Sequence, residues 1–165
     1  MNPVSSPLSE LPAVGFLADV SSEHRAFLAC FGKFLRPQQG DTLIAEGDPQ
    51  ESLYVILSGA LHIVAATDDR PLLLAAFGEG DSLGEINLFD PATASATAIM
   101  RTGGLIWTIS REELETFLAA DPPAGIAVMK GLLRQVARRI RSMNEKLATA
   151  EQRGSIHNFW NSRHH

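Results

Sequence analysis

Glycine punctuates the middle of this chain at positions 40, 47, 59, 78, 80 and 84, with short apolar runs between most of these positions. Such spacing calls for strands joined by tight turns rather than for helices. Gly40-Asp41 and Gly47-Asp48-Pro49 are turn chemistry, since glycine reaches backbone conformations closed to other residues and Asp bonds its own backbone. Leu53 to Leu57 carries the β-branched and aromatic side chains that strands favour, and Gly59 breaks a hairpin before Leu61–Ala65. Strands are expected near Gly32–Leu35, Thr42–Ile44, Leu53–Ser58, Ala60–Ala65, Leu72–Phe77, Ala96–Met100 and Leu105–Ser110. The series predicts an α+β, mainly β fold: an antiparallel β-barrel or jelly roll with flanking N-terminal helices and a long C-terminal helix.

The helical signals lie at the two ends. Ser21 is a plausible N-cap for a helix to Phe31, with Phe27, Leu28 and Phe31 on its apolar face; Phe16-Leu17 form a helical piece before it. Ser110 followed by Glu113 reads as a capping box opening a helix to about Ala119, and Asp121-Pro122-Pro123 stops it. A final helix starts near Ala124. The expected division is a loose Pro- and Ser-rich segment 1–12, a body 13–121, a helix 122–153 and a tail 154–165.

Composition bounds the function. A chain of 165 residues with 45% hydrophobic residues can bury a core without metal or disulfide staples. Cys30 is the only cysteine, so no intrachain disulfide forms, and it is expected to pack as a small hydrophobe. The N-terminus lacks the basic and apolar regions of a secretory signal. No apolar run reaches the ~18 residues a membrane helix needs, so a cytoplasmic protein without a membrane partner is expected. Residues 1–110 hold 5 Lys/Arg against 13 Asp/Glu, and residues 111–165 hold 9 against 6. An acidic body argues against general nucleic-acid binding; the basic helix reads as a solvated face.

The segment Gly78 to Thr97 carries the chemistry. Gly78, Gly80 and Gly84 allow close backbone approach, and Gly84-Glu85 opens a short apolar helix through Ile86, Leu88 and Phe89. A glycine turn leading into a helix N-terminus can hold a phosphate on unpaired backbone N–H groups, and Glu85 is placed to accept bonds from sugar hydroxyls. This run resembles the phosphate-binding cassette of cyclic-nucleotide-binding domains, which reads Gly-Glu-Leu-Ala-Leu, a short loop, then Arg-Ser-Ala-Thr. Gly84, Glu85 and Ser95-Ala96-Thr97 match it, and Ala94 stands in the arginine's place. The ordered glycines, acids and strands from Gly40 to Leu61 repeat the same family's spacing.

The last helix carries the second signal. Ile126, Met129, Leu133, Val136, Ile140, Met143, Leu147 and Ala150 follow alternate steps of three and four, a heptad seam. A helix from Ala124 to Arg153 would be about 45 Å long, more than one small barrel needs as cover, so a homodimer is expected; the competing reading packs the stripe back on its own barrel. Gln135 to Ile140 and Glu145-Lys146 resemble the dimerisation helix of catabolite-activator-type regulators. There a Thr-Ser pair before the Glu-Lys touches the purine of cyclic AMP; here Met143 and Asn144 hold those places. The chain ends at His165, so the resemblance implies a sensor without a DNA-binding domain.

Other chemistry finds little support. A cupin-like metal enzyme clusters histidines on neighbouring strands, but only His62 lies among the strands; His24, His157, His164 and His165 lie elsewhere, and no metal site is expected. No phosphate-binding Gly-Lys-Ser/Thr loop, Cys pair or serine-nucleophile elbow is present, so no catalytic residue is named. Trp107 is expected to pack within its strand, and Phe159 and Trp160 to pack or to meet a partner. The reading is a stand-alone dimeric regulatory module for signal transduction. Its candidate ligand site is Gly84, Glu85, Ile86, Ala94, Ser95, Ala96, Thr97, Met143 and Asn144, with cyclic or other nucleotide binding weakened by Ala94. The alternative is a ligand-free dimeric scaffold with a vestigial pocket and a protein partner.

Overall fold

The computed structural model describes residues 3–4, 7–67 and 70–161, with side chains through 149. The chain forms two compact units, one running to Gly131 and one beginning at Leu132. The first holds β1 (Pro3–Val4), a 3-10 turn (Gly15–Leu17), α1 (Ser22–Ala29), β2 (Lys33–Leu35), β3 (Thr42–Ile44), β4 (Pro49–Gln50), β5 (Ser52–Ser58), β6 (Leu61–Ala65) and β7 (Leu72–Phe77). It continues through β8 (Ser82–Leu83), α2 (Glu85–Phe89), β9 (Ala92–Thr93), β10 (Thr97–Met100), β11 (Leu105–Ser110), α3 (Arg111–Ala120) and the start of α4 (Pro122–Asn161).

The strands form antiparallel sheets ordered β1-β2-β11-β5-β8 and β3-β10-β6-β7, with β4 and β9 as a separate pair. Both larger sheets feed one core of Leu35, Ile56, Leu61, Leu83, Ala98, Met100 and Ile106. Trp107 follows Ile106 and is also fully buried. Consecutive strand residues point to opposite faces, so β11 is covered on both sides. Over Trp107 the chain must be bare: a Cβ on Gly32 would lie 2.5 Å from the indole ring. Phe27, Phe31 and Phe117 form an aromatic cluster with ring centroids 5.0 to 5.8 Å apart, tying α1 to α3.

Local chemistry sets the helix ends. Ser21 Oγ accepts the His24 N–H. At α3 the capping box is complete: the Glu113 N–H donates to Ser110 Oγ at 3.2 Å and the Ser110 N–H to Glu113 Oε2 at 2.9 Å. Lys33 Nζ adds an ion pair to Glu113 Oε1 at 2.8 Å. Asp121 Oδ1 then accepts the Ala124 N–H at 3.0 Å, so the Asp that closes α3 also caps α4. The prolines belong to the new helix, because proline's fixed φ and missing donor suit a first turn.

Several elements differ from the sequence expectation. In the stretch 1–12, read as loose, Pro3 and Val4 pair with Leu35 and Phe34. There Leu11 is fully buried, and its carbonyl accepts from Arg25 Nε at 2.8 Å. Cys30 is exposed rather than packed; it lies at the C-terminal cap of α1, where the helix face turns to water. Helix α4 runs to Asn161, through Gly154 where a tail was expected to begin; one interior glycine costs a helix only about 1 kcal/mol. The side chains of Ala150, His157, Phe159 and Trp160, and all of His164 and His165, lie outside the described residues.

Candidate functional site

The cassette is built by the chain leaving β7. Its Gly78–Asp81 turn is strapped to β5, with the Ile56 N–H donating to the Asp81 carbonyl at 3.0 Å and the Gly80 N–H to the Ile56 carbonyl at 2.9 Å. β8 then pairs with Tyr54 and Val55. Gly84 follows with φ 86°, and a Cβ there would lie 2.1 Å from the Ser52 carbonyl oxygen and 2.8 Å from Gln50 Nε2. Only glycine fits both the left-handed backbone and the space. Helix α2 starts from this turn, turning Glu85 (4% exposed) and Leu88 inward and Ile86 (65% exposed) and Phe89 toward solvent.

The second wall is the chain entering β10. Pro49 and Gln50 of β4 pair with Thr93 and Ala92 of β9. Beyond them the Ala94 N–H donates to the Asp48 carbonyl, and its own carbonyl accepts the Gly47 N–H, both at 2.8 Å. Thr97 Oγ1 accepts the Glu46 N–H at 3.1 Å, and Glu46 Oε2 accepts the Ala66 N–H at 3.0 Å. Asn87 Nδ2 donates to the Ala92 carbonyl at 3.0 Å, linking α2 to this wall. Gln50 is buried and donates to Ser52 at 2.6 Å, so it stands beside both Gly84 and β9.

Of the expected site residues, the structure thus joins Gly84, Glu85 and Ile86 in one turn and, through Gln50 and Asn87, links that turn to the wall carrying Ala94, Ser95, Ala96 and Thr97. Ala94 is 8% exposed with both backbone groups bonded, Ser95 is exposed, and Ala96 and Thr97 are half-buried. Met143 and Asn144 lie in the second unit and are exposed. The charge of the region is one-sided: from Pro37 to Met100 the chain carries Arg70 as its only Lys/Arg against ten Asp/Glu.

Sequence reasoning missed Gln50, Glu46 and Arg111. Arg111 Nη2 donates to the Asn87 carbonyl at 3.2 Å, bringing a guanidinium from the start of α3 onto α2. Glu46 and Arg111 bond segments remote in sequence, so no local pattern marks them; Gln50 bonds the Ser52 carbonyl two residues on, and only the fold brings Gly84 against it.

On α4, Ile126, Leu133, Ile140, Met143 and Leu147 are all more than half exposed, while Met129 and Val136 are half-buried. Among the described residues no helix is long and apolar enough to cross a membrane.

Comparison with known proteins agrees with this architecture. The cyclic nucleotide-binding domain family matches residues 35–121. The CRP-like cAMP-activated global transcriptional regulator of Mycobacterium tuberculosis is 37% identical over 127 residues, covering 73% of this chain and 54% of that protein. The chain thus spans about half the length of that regulator. Among solved structures, a cyclic nucleotide-binding domain from Methylobacillus flagellatus superposes with a TM-score of 0.74 at 25% identity, covering 80% of this chain and 75% of that one. A triple mutant of the regulatory subunit of a cAMP-independent protein kinase A from Trypanosoma brucei, bound to cAMP in the A site, gives a TM-score of 0.60. It is 26% identical over 73% of this chain and 43% of that one, and one of its substitutions replaces a threonine with arginine. The chain belongs to the cyclic nucleotide-binding domain family.

Proposed function

We propose that this chain is a non-catalytic, cytoplasmic regulatory module of that family, dimeric through α4, whose cassette binds cyclic mononucleotides weakly or in an altered way. The functional division is a sensing body over 13–121 and a dimerisation helix over 122–153. The observation that carries the reading is Ala94: the family's arginine is replaced by a buried methyl group on a strand locked by backbone bonds, in a region with one Arg against ten carboxylates. A phosphate entering there meets no cation from the cassette strand itself; the described guanidinium on α2, that of Arg111, is engaged with the Asn87 carbonyl. The remaining donors are the backbone of the Gly84–Ile86 turn and the hydroxyls of Thr93, Ser95 and Thr97, and the Thr97 oxygen already accepts from Glu46. The family resemblance gives Glu85, which the fold buries at the start of α2, the role of meeting a ribose hydroxyl.

A charge-assisted bond to phosphate is worth about 1.5–3 kcal/mol, so its loss weakens binding by roughly ten- to a hundred-fold. The M. tuberculosis relative, named as cAMP-activated, and the T. brucei mutant, described as bound to cAMP, support testing cyclic AMP as a ligand. The test is calorimetric titration with cyclic AMP, cyclic GMP and cyclic di-GMP. Wild type is expected to bind neither cyclic mononucleotide tightly, and Ala94→Arg to bind at least tenfold better. A wild-type dissociation constant well below micromolar for cyclic AMP or cyclic GMP would overturn the reading.

A second reading, the ligand-free dimeric scaffold serving a protein partner, is favoured by the exposed stripe on α4. It predicts no heat with any nucleotide, even from Ala94→Arg.

A further inference from the structure

Helix α2 ends where its hydrogen-bond ladder meets a proline. The Leu88 N–H donates to the Gly84 carbonyl at 3.0 Å and the Asp90 N–H to the Ile86 carbonyl at 2.9 Å. The next donor in that series is residue 91, which would serve the Asn87 carbonyl, but Pro91 has no N–H. Arg111 fills the gap from the start of α3: its Nη2 donates to the Asn87 carbonyl at 3.2 Å. The same asparagine sends its side chain the other way, Nδ2 donating to the Ala92 carbonyl at 3.0 Å. Asn87 is thus the joint between α3, α2 and the wall that leads to Ala94.

The backbone of Arg111 closes a circuit. Its N–H donates to the Glu51 carbonyl at 3.0 Å, next to Gln50, which pairs with Ala92. Arg111 therefore reaches Ala92 by two routes, through Glu51 and Gln50 and through Asn87. Helix α3 itself is poorly served by an arginine there. As its first residue, Arg111 sets a cation at the positive end of the helix dipole, the unfavourable sign. Its Nε is buried with no hydrogen-bond partner among the described residues, a further local cost. What the side chain does is hold α2. We infer that Arg111 is a positioning residue for the cassette: it fixes α2, which carries Glu85, against the wall over 92–97, without touching the ligand. Without its guanidinium both walls remain, but their spacing is free to drift.

This role rests on the reading above that the cassette takes a cyclic mononucleotide, and two measurements keep the two apart. The first needs no ligand. In hydrogen exchange of the full chain, Arg111→Gln is expected to speed the Leu88, Asp90 and Ala94 amides at least tenfold. Met100 and Arg101, whose amides bond to Asp41 and Ala60, should keep their wild-type rates, with circular dichroism checking the fold. Equal acceleration at all five amides, or none at any, overturns the proposal. The second is calorimetric titration with cyclic AMP on the Ala94→Arg background. Arg111→Gln and Asn87→Ala are each expected to weaken binding at least tenfold. Together they should weaken it little more than either alone, because both act through one joint; losses that multiply in full overturn the proposal. An affinity of Ala94→Arg that Arg111→Gln leaves unchanged overturns the positioning role and leaves the nucleotide reading standing. No binding of cyclic AMP by Ala94→Arg overturns that reading, and the exchange pattern then decides by itself whether Arg111 holds the cassette.

Discussion

At the cassette a methyl group on Gly84 would strike the Ser52 carbonyl at 2.1 Å; on α4, Leu133 is 71% exposed. The first region is closed by its own chain. Backbone bonds from Asp48 and Gly47 hold Ala94, Asn87 holds Ala92, and Gln50 sits against Gly84. The second presents five large apolar residues to water along one stripe, a pattern that a helix keeps only when another surface covers it. The contrast teaches where specificity resides. Cassette shape is written in short-range sterics and needs no partner, whereas the stripe acquires meaning only from what it meets.

The strongest way to break this contrast is Ile140→Asp. At the middle of the proposed dimeric seam it would bury a charge against its symmetry mate, costing more than about 3 kcal/mol, or over a hundredfold in dissociation constant. Sedimentation should show a monomer whose strands retain their wild-type circular dichroism. An unchanged dimer would remove the seam from the interface.

Next in size is Gly84→Ala. Holding alanine at φ 86° costs about 1–2 kcal/mol in backbone strain alone, and the clash with Ser52 adds to it, so a loss of at least about 2 kcal/mol is expected in urea unfolding. If the cassette is closed by its own chain, the loss is the same in the Ile140→Asp monomer. A loss that vanishes in the monomer would mean that dimerisation, not local packing, shapes the turn.

The same divide explains what was legible in the sequence. Thr42–Ile44, Leu72–Phe77 and Leu105–Ser110 are strands with the expected bounds, and the Ser110–Glu113 box is complete. Each is announced by residues within a few positions of one another. The pairs Pro3–Val4, Pro49–Gln50, Ser82–Leu83 and Ala92–Thr93 were not read. Two residues carry no periodicity, and such strands exist only because a remote segment offers its hydrogen bonds. The exposure of Leu72–Leu74 was hidden for a related reason: alternation predicts two faces, and only the pairing with β6 reveals a β-bulge. At the candidate site, Gly84 and Glu85 stand out through motif and turn chemistry, while Arg111 bonds α2 from a segment the sequence does not place beside it, and Gln50 comes against Gly84 only through the fold.

The smallest effect sharpens the comparison from the closed side, at the ion pair between Lys33 and Glu113. Partial burial pushes the Glu113 carboxyl up, but the Lys33 ammonium and the Ser110 hydrogen bonds outweigh it and hold it below the usual glutamate range. Lys33 is raised by its hydrogen bond to Glu113. A carboxyl depressed in the folded state stabilises fully above its unfolded pKa, and that contribution fades as pH falls through the folded value. A lysine raised by its partner contributes below its unfolded pKa and loses this only as pH climbs past it. Glu113→Gln keeps a capping-box side chain and removes the charge, so it isolates this contribution. Because Lys33 is exposed and Glu113 only half-buried, solvent screening keeps the loss from Glu113→Gln small near neutral pH. Thermal melts should show the gap between wild type and variant closing as pH falls below the usual glutamate pKa of about 4.3. It should narrow also in 1 M salt, where the Debye length falls to about 3 Å. A gap that stays constant with pH and salt would mean that Glu113 serves α3 through its hydrogen bonds alone.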